Sequence, residues 1–95
     1  MSSLLTPSAP ASATVGVASG QIVAANGARR GLVVINTSAN TVSLAFGSNA
    51  AVLNSGITLN ASGGTWEMDK DTYTVAAVNA IASGAASNVS IQEYT

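Results

Sequence analysis

Short runs rich in Val, Ile and Thr, each soon closed by Gly, Asn or Ser, leave this chain room for strands and little for helices. Strong helix formers other than Ala are few. The runs fall at residues 13–17, 21–25, 30–36, 41–46, 57–59, 65–68, 73–78 and 88–94, with a further short piece at 51–53. Such regular spacing predicts an all-β domain, a small antiparallel β-sandwich, jelly-roll-like, or a barrel.

Individual runs carry more detail. Leu32, Val33, Val34 and Ile35 stand in succession, so the 30–36 strand is expected to be covered on both faces, as a central strand or beneath a neighbouring subunit. Residues 41–46 alternate, which puts Val42, Leu44 and Phe46 on one face. Trp66 and Met68 share a face as core residues, and Val89 and Ile91 point inward from the closing strand. Asn26-Gly27 signals a two-residue hairpin. The Ala/Ser/Gly stretch 79–87 reads as loop.

The first twelve residues differ. Pro7 and Pro10 among Ser, Thr and Ala disfavour both helix and strand interior, so residues 1–12 are expected to form an extended arm ahead of a 13–95 sandwich domain. Leu4 and Leu5 are its large apolar anchors. Such a segment reads either as a frayed terminus or as an arm that reaches onto a neighbouring subunit, and in the second case its removal is expected to weaken docking while the β domain stays folded.

Composition narrows the function. A chain of 95 residues buries a thin core, and here no cysteine or histidine reinforces it with a disulfide or a zinc site. Association with further copies is the remaining reinforcement. Leu, Ile, Val and Phe make up 22 of the 95 residues and only 7% are charged, a balance that favours folding over disorder. The net charge of −1 argues against a nucleic-acid partner, and no apolar run is long enough for a membrane span. A neutral surface of small residues permits like subunits to pack closely.

Little chemistry is on offer. Ser or Thr nucleophiles lack a histidine base, and the single lysine, Lys70, lies between Asp69 and Asp71. Glu67, Asp69 and Asp71 recur at every second position, but they form no EF-hand-like loop and read as a solvated edge and turn. The chain is therefore expected to be non-catalytic, with no cofactor or metal. Arg29-Arg30 reads either as a strand-entry pair held by Glu93 or Glu67, or as an intersubunit salt bridge. Leu4, Leu5, Pro7, Pro10, Arg29 and Arg30 are accordingly the candidate interface residues.

A resemblance sharpens this outline. Residues 28–38 (Ala-Arg-Arg-Gly-Leu-Val-Val-Ile-Asn-Thr-Ser) and 40–47 (Asn-Thr-Val-Ser-Leu-Ala-Phe-Gly) resemble a family of small tailed-bacteriophage virion proteins. The likeness continues through Gly56-Ile57-Thr58-Leu59, Ser62-Gly63-Gly64-Thr65-Trp66 and the ending Asn88-Val89-Ser90-Ile91-Gln92-Glu93. Where the family often has Pro-Gly-Gly, this chain has Ser62-Gly63-Gly64 after Ala61. The resemblance implies a sandwich or jelly-roll accessory protein on the capsid surface of a virion, a decoration or cement subunit. Its implied partners are further copies of itself, as a homotrimer, and the phage major capsid protein. A receptor- or glycan-binding module of a fibre or tail is the alternative it leaves open. It supplies no catalytic residue.

Overall fold

The computed structural model describes residues 4–95, and among them it contains eight strands and no helix. They are β1 (Ala11–Val15), β2 (Gly20–Val23), β3 (Gly31–Asn36), β4 (Val42–Phe46), β5 (Ile57–Leu59), β6 (Thr65–Glu67), β7 (Val78–Ala82) and β8 (Ser87–Tyr94). Two four-stranded antiparallel sheets result, ordered β1-β8-β3-β6 and β2-β7-β4-β5. First pairs with last, second with seventh, third with sixth and fourth with fifth. This nesting, split between two packed sheets, is the strand order of an eight-stranded jelly roll.

The core lies between the sheets. Leu32 and Val34 of β3, Val89 and Ile91 of β8, and Val15 of β1 face Val42 and Leu44 of β4, Leu59 of β5 and Val78, Ala80 and Ala82 of β7. Trp66 and Met68 join the same cluster, and the Trp66 ring tilts against Phe46 with centroids 5.1 Å apart. The alternation expected of residues 41–46 is present, since Val42 and Leu44 are buried and Phe46 packs against the core. β3 is a central strand, hydrogen-bonded to β8 on one side and β6 on the other.

Polar hubs hold the ends. Asn36, fully buried, donates from Nδ2 to the carbonyls of Asn40 (2.7 Å), Leu59 (3.1 Å) and Asn60 (3.1 Å). Its Oδ1 accepts from the Ser38 amide and hydroxyl. One amide side chain thus satisfies the carbonyl that ends β5 and carbonyls in the turns before β4 and after β5. Nearby, a Cβ on Gly64 would run into the backbone of Leu59 and Asn60, so only glycine allows this close crossing.

Four local expectations are corrected. The 73–78 strand is displaced to Val78–Ala82, inside the stretch read as loop. Alanines 80 and 82 are fully buried there because a strand beneath the opposing sheet has room for small side chains, which overrides their weak β preference. Residues 51–53 are not a strand; Ala51 is buried under loop backbone. Asn26-Gly27 makes no hairpin, because β2 and β3 belong to different sheets. Instead Arg29 N–H donates to the Asn26 carbonyl and Ala28 N–H to Asn26 Oδ1, a turn capped by its own side chain.

The fourth concerns the arm. Its first three residues lie outside the described residues. The rest does not stand away from the domain: Thr6 and Thr95 exchange backbone bonds of 3.0 Å, Pro7 bridges to Tyr94, and Ser8 N–H donates to the Glu93 carbonyl. Ala11 and Ser12 already belong to β1, so the segment prolongs that edge strand along β8. Pro7 and Pro10 fit such a position because an edge strand needs no donor on its open side.

Candidate interaction surface

The two arginines at the entry to β3 go opposite ways. Arg29 is fully buried. Its Nε donates to Glu93 Oε2 at 2.6 Å, and its terminal nitrogens donate to the carbonyls of Ala76 (2.7 Å), Ala24 (2.7 Å) and Thr74 (3.3 Å). Tyr73 closes the group by donating its hydroxyl to the Arg29 carbonyl at 2.7 Å. A buried guanidinium is tolerable only when its donors are matched in this way. The strand-entry reading with Glu93 is therefore the observed one, and Arg29 is removed from the interface candidates because its head group is enclosed.

Arg30 faces solvent beside it, its backbone N–H donating to the Tyr94 carbonyl. With Leu5, Gly31, Val33, Glu67 and Tyr94 it lines a hollow of about 290 Å³ on the outer side of the β1-β8-β3-β6 sheet. The Tyr94 ring lies over Gly31, where a Cβ would stand 3.2 Å from the ring carbon. A second hollow, about 210 Å³, adjoins the first through Val33 and is bordered by Pro10, Ile35, Ser90 and Gln92. Both arise from one pattern: Leu32 and Val34 point into the core, which turns Val33 and Ile35 outward on a central strand, each half-buried.

The structure thus brings Leu5, Arg30 and Pro10 together on one face. Pro7 sits at its rim against Tyr94, and Leu4, 91% exposed, projects beyond it. Val33, Ile35 and Tyr94 were not singled out as surface residues; the unbroken 32–35 apolar run was the signal for the first two.

The other outer face is already covered. The 47–56 segment between β4 and β5 lies across β2-β7-β4-β5. Asn79 Nδ2 donates to the carbonyls of Gly47 (3.3 Å) and Asn49 (2.7 Å), and Ser43 Oγ accepts from the Asn54 amide (2.8 Å). The Ala51 amide donates to Ser19 Oγ (2.8 Å), leaving Ala51 buried.

The acidic corner is a turn. Asp69 Oδ1 accepts from the amides of Asp71 (2.7 Å) and Thr72 (3.0 Å), and these bonds, with the Thr72 hydroxyl, hold its carboxyl below the ordinary value of 3.8. Lys70 and Asp71, both exposed, pair at 3.8 Å. Among the described residues, no three Asp, Glu, His or Cys side chains gather as a metal site needs. No helix there is long and apolar enough to cross a membrane.

No protein-family model, curated protein or solved structure matches this chain.

Proposed function

We propose that this protein is a structural subunit of a tailed-phage particle, docking on the outside of the capsid as decoration or cement and stabilising the shell. In this reading it acts without catalysis, associates as a trimer, and has the major capsid protein as its other partner. The observation that carries the proposal is the outer face of the β1-β8-β3-β6 sheet, where Val33, Ile35, Leu5, Pro10 and Tyr94 lie together and, among the described residues, no segment crosses Val33 and Ile35. Apolar surface of this kind gains by association, at roughly 25 cal/mol for each Å² removed from water. Arg30 and Glu67 border the larger hollow, but no charged residue lines the smaller one, so there little desolvation cost opposes close packing. The resemblance of residues 28–47 to phage virion proteins supports the same reading.

Copy number per particle, from quantitative mass spectrometry of purified virions, tests it. A count comparable to the major shell protein is expected. A count of a few per particle would instead favour the fibre or tail module, and absence from virions would end the proposal.

A further inference from the structure

Resting on the trimeric reading above, we propose that residues 4–8 of one copy exchange onto the end of β8 in the next copy, taking the place of the identical segment there. The way this segment is held is the first argument. Every residue from 4 to 12 is exposed, and even Leu5, in the hollow beside Tyr94, keeps 44% of its surface in water. The attachment is polar: the paired bonds of Thr6 and Thr95, the Ser8 amide and hydroxyl on the Glu93 carbonyl, and Gln92 Nε2 on the Ser8 carbonyl. A segment with exposed backbone bonds and almost no buried apolar area opens at low free-energy cost. Its release leaves the core intact, because the first buried residue along the described chain is Val15, at the far end of β1.

The register supplies a hinge. Pro7 lies opposite Tyr94 and Ala11 opposite Ile91, so the segment carries one residue more than β8 between these pairs, a bulge. Among the described residues, no backbone hydrogen bond joins Ala9 or Pro10 to β8. Pro10 has no N–H to give and keeps Ala9 extended, so the link carries the segment forward instead of folding it into a turn. Pairing with a neighbour reproduces every bond of the pairing within one chain, since the partners are identical in both. Segment and strand end are unlike parts, and a contact between unlike parts closes a ring of three. Five extended residues reach on the order of 17 Å, so the β8 ends of neighbouring copies converge near the axis of that ring. Copies fixed side by side on a shell present their segments at high effective concentration, which lets exchange compete with closure. The outer face keeps its make-up for the shell, because each incoming Leu5 replaces the one that left.

A crosslink between positions 6 and 95 reports which chain supplies the segment, because Thr6 and Thr95 bond each other directly and the chain has no cysteine of its own. The full chain carrying Thr6→Cys/Thr95→Cys is joined with a short bis-maleimide over a concentration series and resolved under denaturing conditions. Links within one chain are expected at high dilution. In concentrated protein the expected product is a closed covalent trimer, with links between chains exceeding those within a chain by about tenfold. Links confined to single chains at every concentration would overturn the inference, whatever the size of the native oligomer. Mixing the single variants Thr6→Cys and Thr95→Cys gives a second reading if the double variant folds poorly: a two-chain product is expected, and its absence would equally overturn the exchange. Failure here is separable from failure of the proposed function. Chains linked to one another, in a protein absent from virions, uphold the exchange alone; a virion-abundant protein linked only within its own chains upholds only the other.

Discussion

The outer face of the β2-β7-β4-β5 sheet is roofed by the chain's own 47–56 segment, whereas among the described residues the outer face of β1-β8-β3-β6 has residues 4–10 along its rim. The difference lies in what each face can offer a loop. Ser43 and Asn79 point outward on the first, beside Ala45 and Ile81, and take up backbone groups a covering loop would otherwise leave unpaired, while Thr58 hydrogen-bonds Ser43. Val33 and Ile35 on the second have nothing to give a loop backbone, and the polar side chain between them and the edge, Gln92, donates to the Ser8 carbonyl of the segment along the rim. The first face is therefore covered by the chain itself, while Val33 and Ile35 on the second stay half-buried.

The largest expected effect concerns a residue serving both sheets. Arg29 ties Glu93 of β8 to carbonyls at Ala24, Thr74 and Ala76, beside the ends of β2 and β7. Arg29→Ala leaves these acceptors and a half-buried carboxylate without a partner and should cost about 3–5 kcal/mol in urea unfolding. A loss below about 1 kcal/mol would mean the sheets are held by apolar packing alone.

Next come two substitutions that separate the faces. Ser43→Ala removes the acceptor of the Asn54 amide and the partner of the Thr58 hydroxyl, so about 1–2 kcal/mol of stability should go, with faster hydrogen exchange at Ala51 and Asn54. Ile35→Ser should lower stability by about 1 kcal/mol or less, because the side chain is only half-buried, yet weaken association strongly. If the two variants behave alike, the faces do not differ as described.

The smallest effect lies off both faces. Asp69→Ala should open the 69–72 turn with a barely measurable change in unfolding midpoint at neutral pH. The Asp69 carboxyl titrates below its ordinary value when folded, so its contribution is fully present above that value and is lost as pH falls through the lowered one. The wild type and variant should converge in acid. A difference that grows on acidification would contradict the turn geometry.

Much of the fold is legible in the sequence, for a definable reason. Strands β3, β4 and β8 carry Val, Ile and Leu at alternate or successive positions, and packing simply enforces what these residues prefer. β7 was hidden because its inward residues include Ala80 and Ala82, whose strand conformation comes from a place in the middle of a sheet. The Asn26 turn misleads in the same way: its local chemistry is right, but whether a turn joins neighbours or crosses between sheets is decided far along the chain. For the surface, Leu5, Pro10 and Arg30 could be picked out, but not their convergence with Tyr94, which depends on the last strand lying between the first and the third. Arg29 and Arg30, adjacent and alike in sequence, were separated only by the carbonyls that the β2–β3 and β6–β7 connections deliver around one of them.

The absence of native cysteine makes the central contrast directly measurable. Ser90→Cys places a thiol on the bare face and Thr58→Cys one on the roofed face, and each can be labelled in dilute protein, concentrated protein and purified particles. The account predicts that association protects position 90 and leaves position 58 as reactive as before. Protection at 58 with continued labelling at 90 would contradict it.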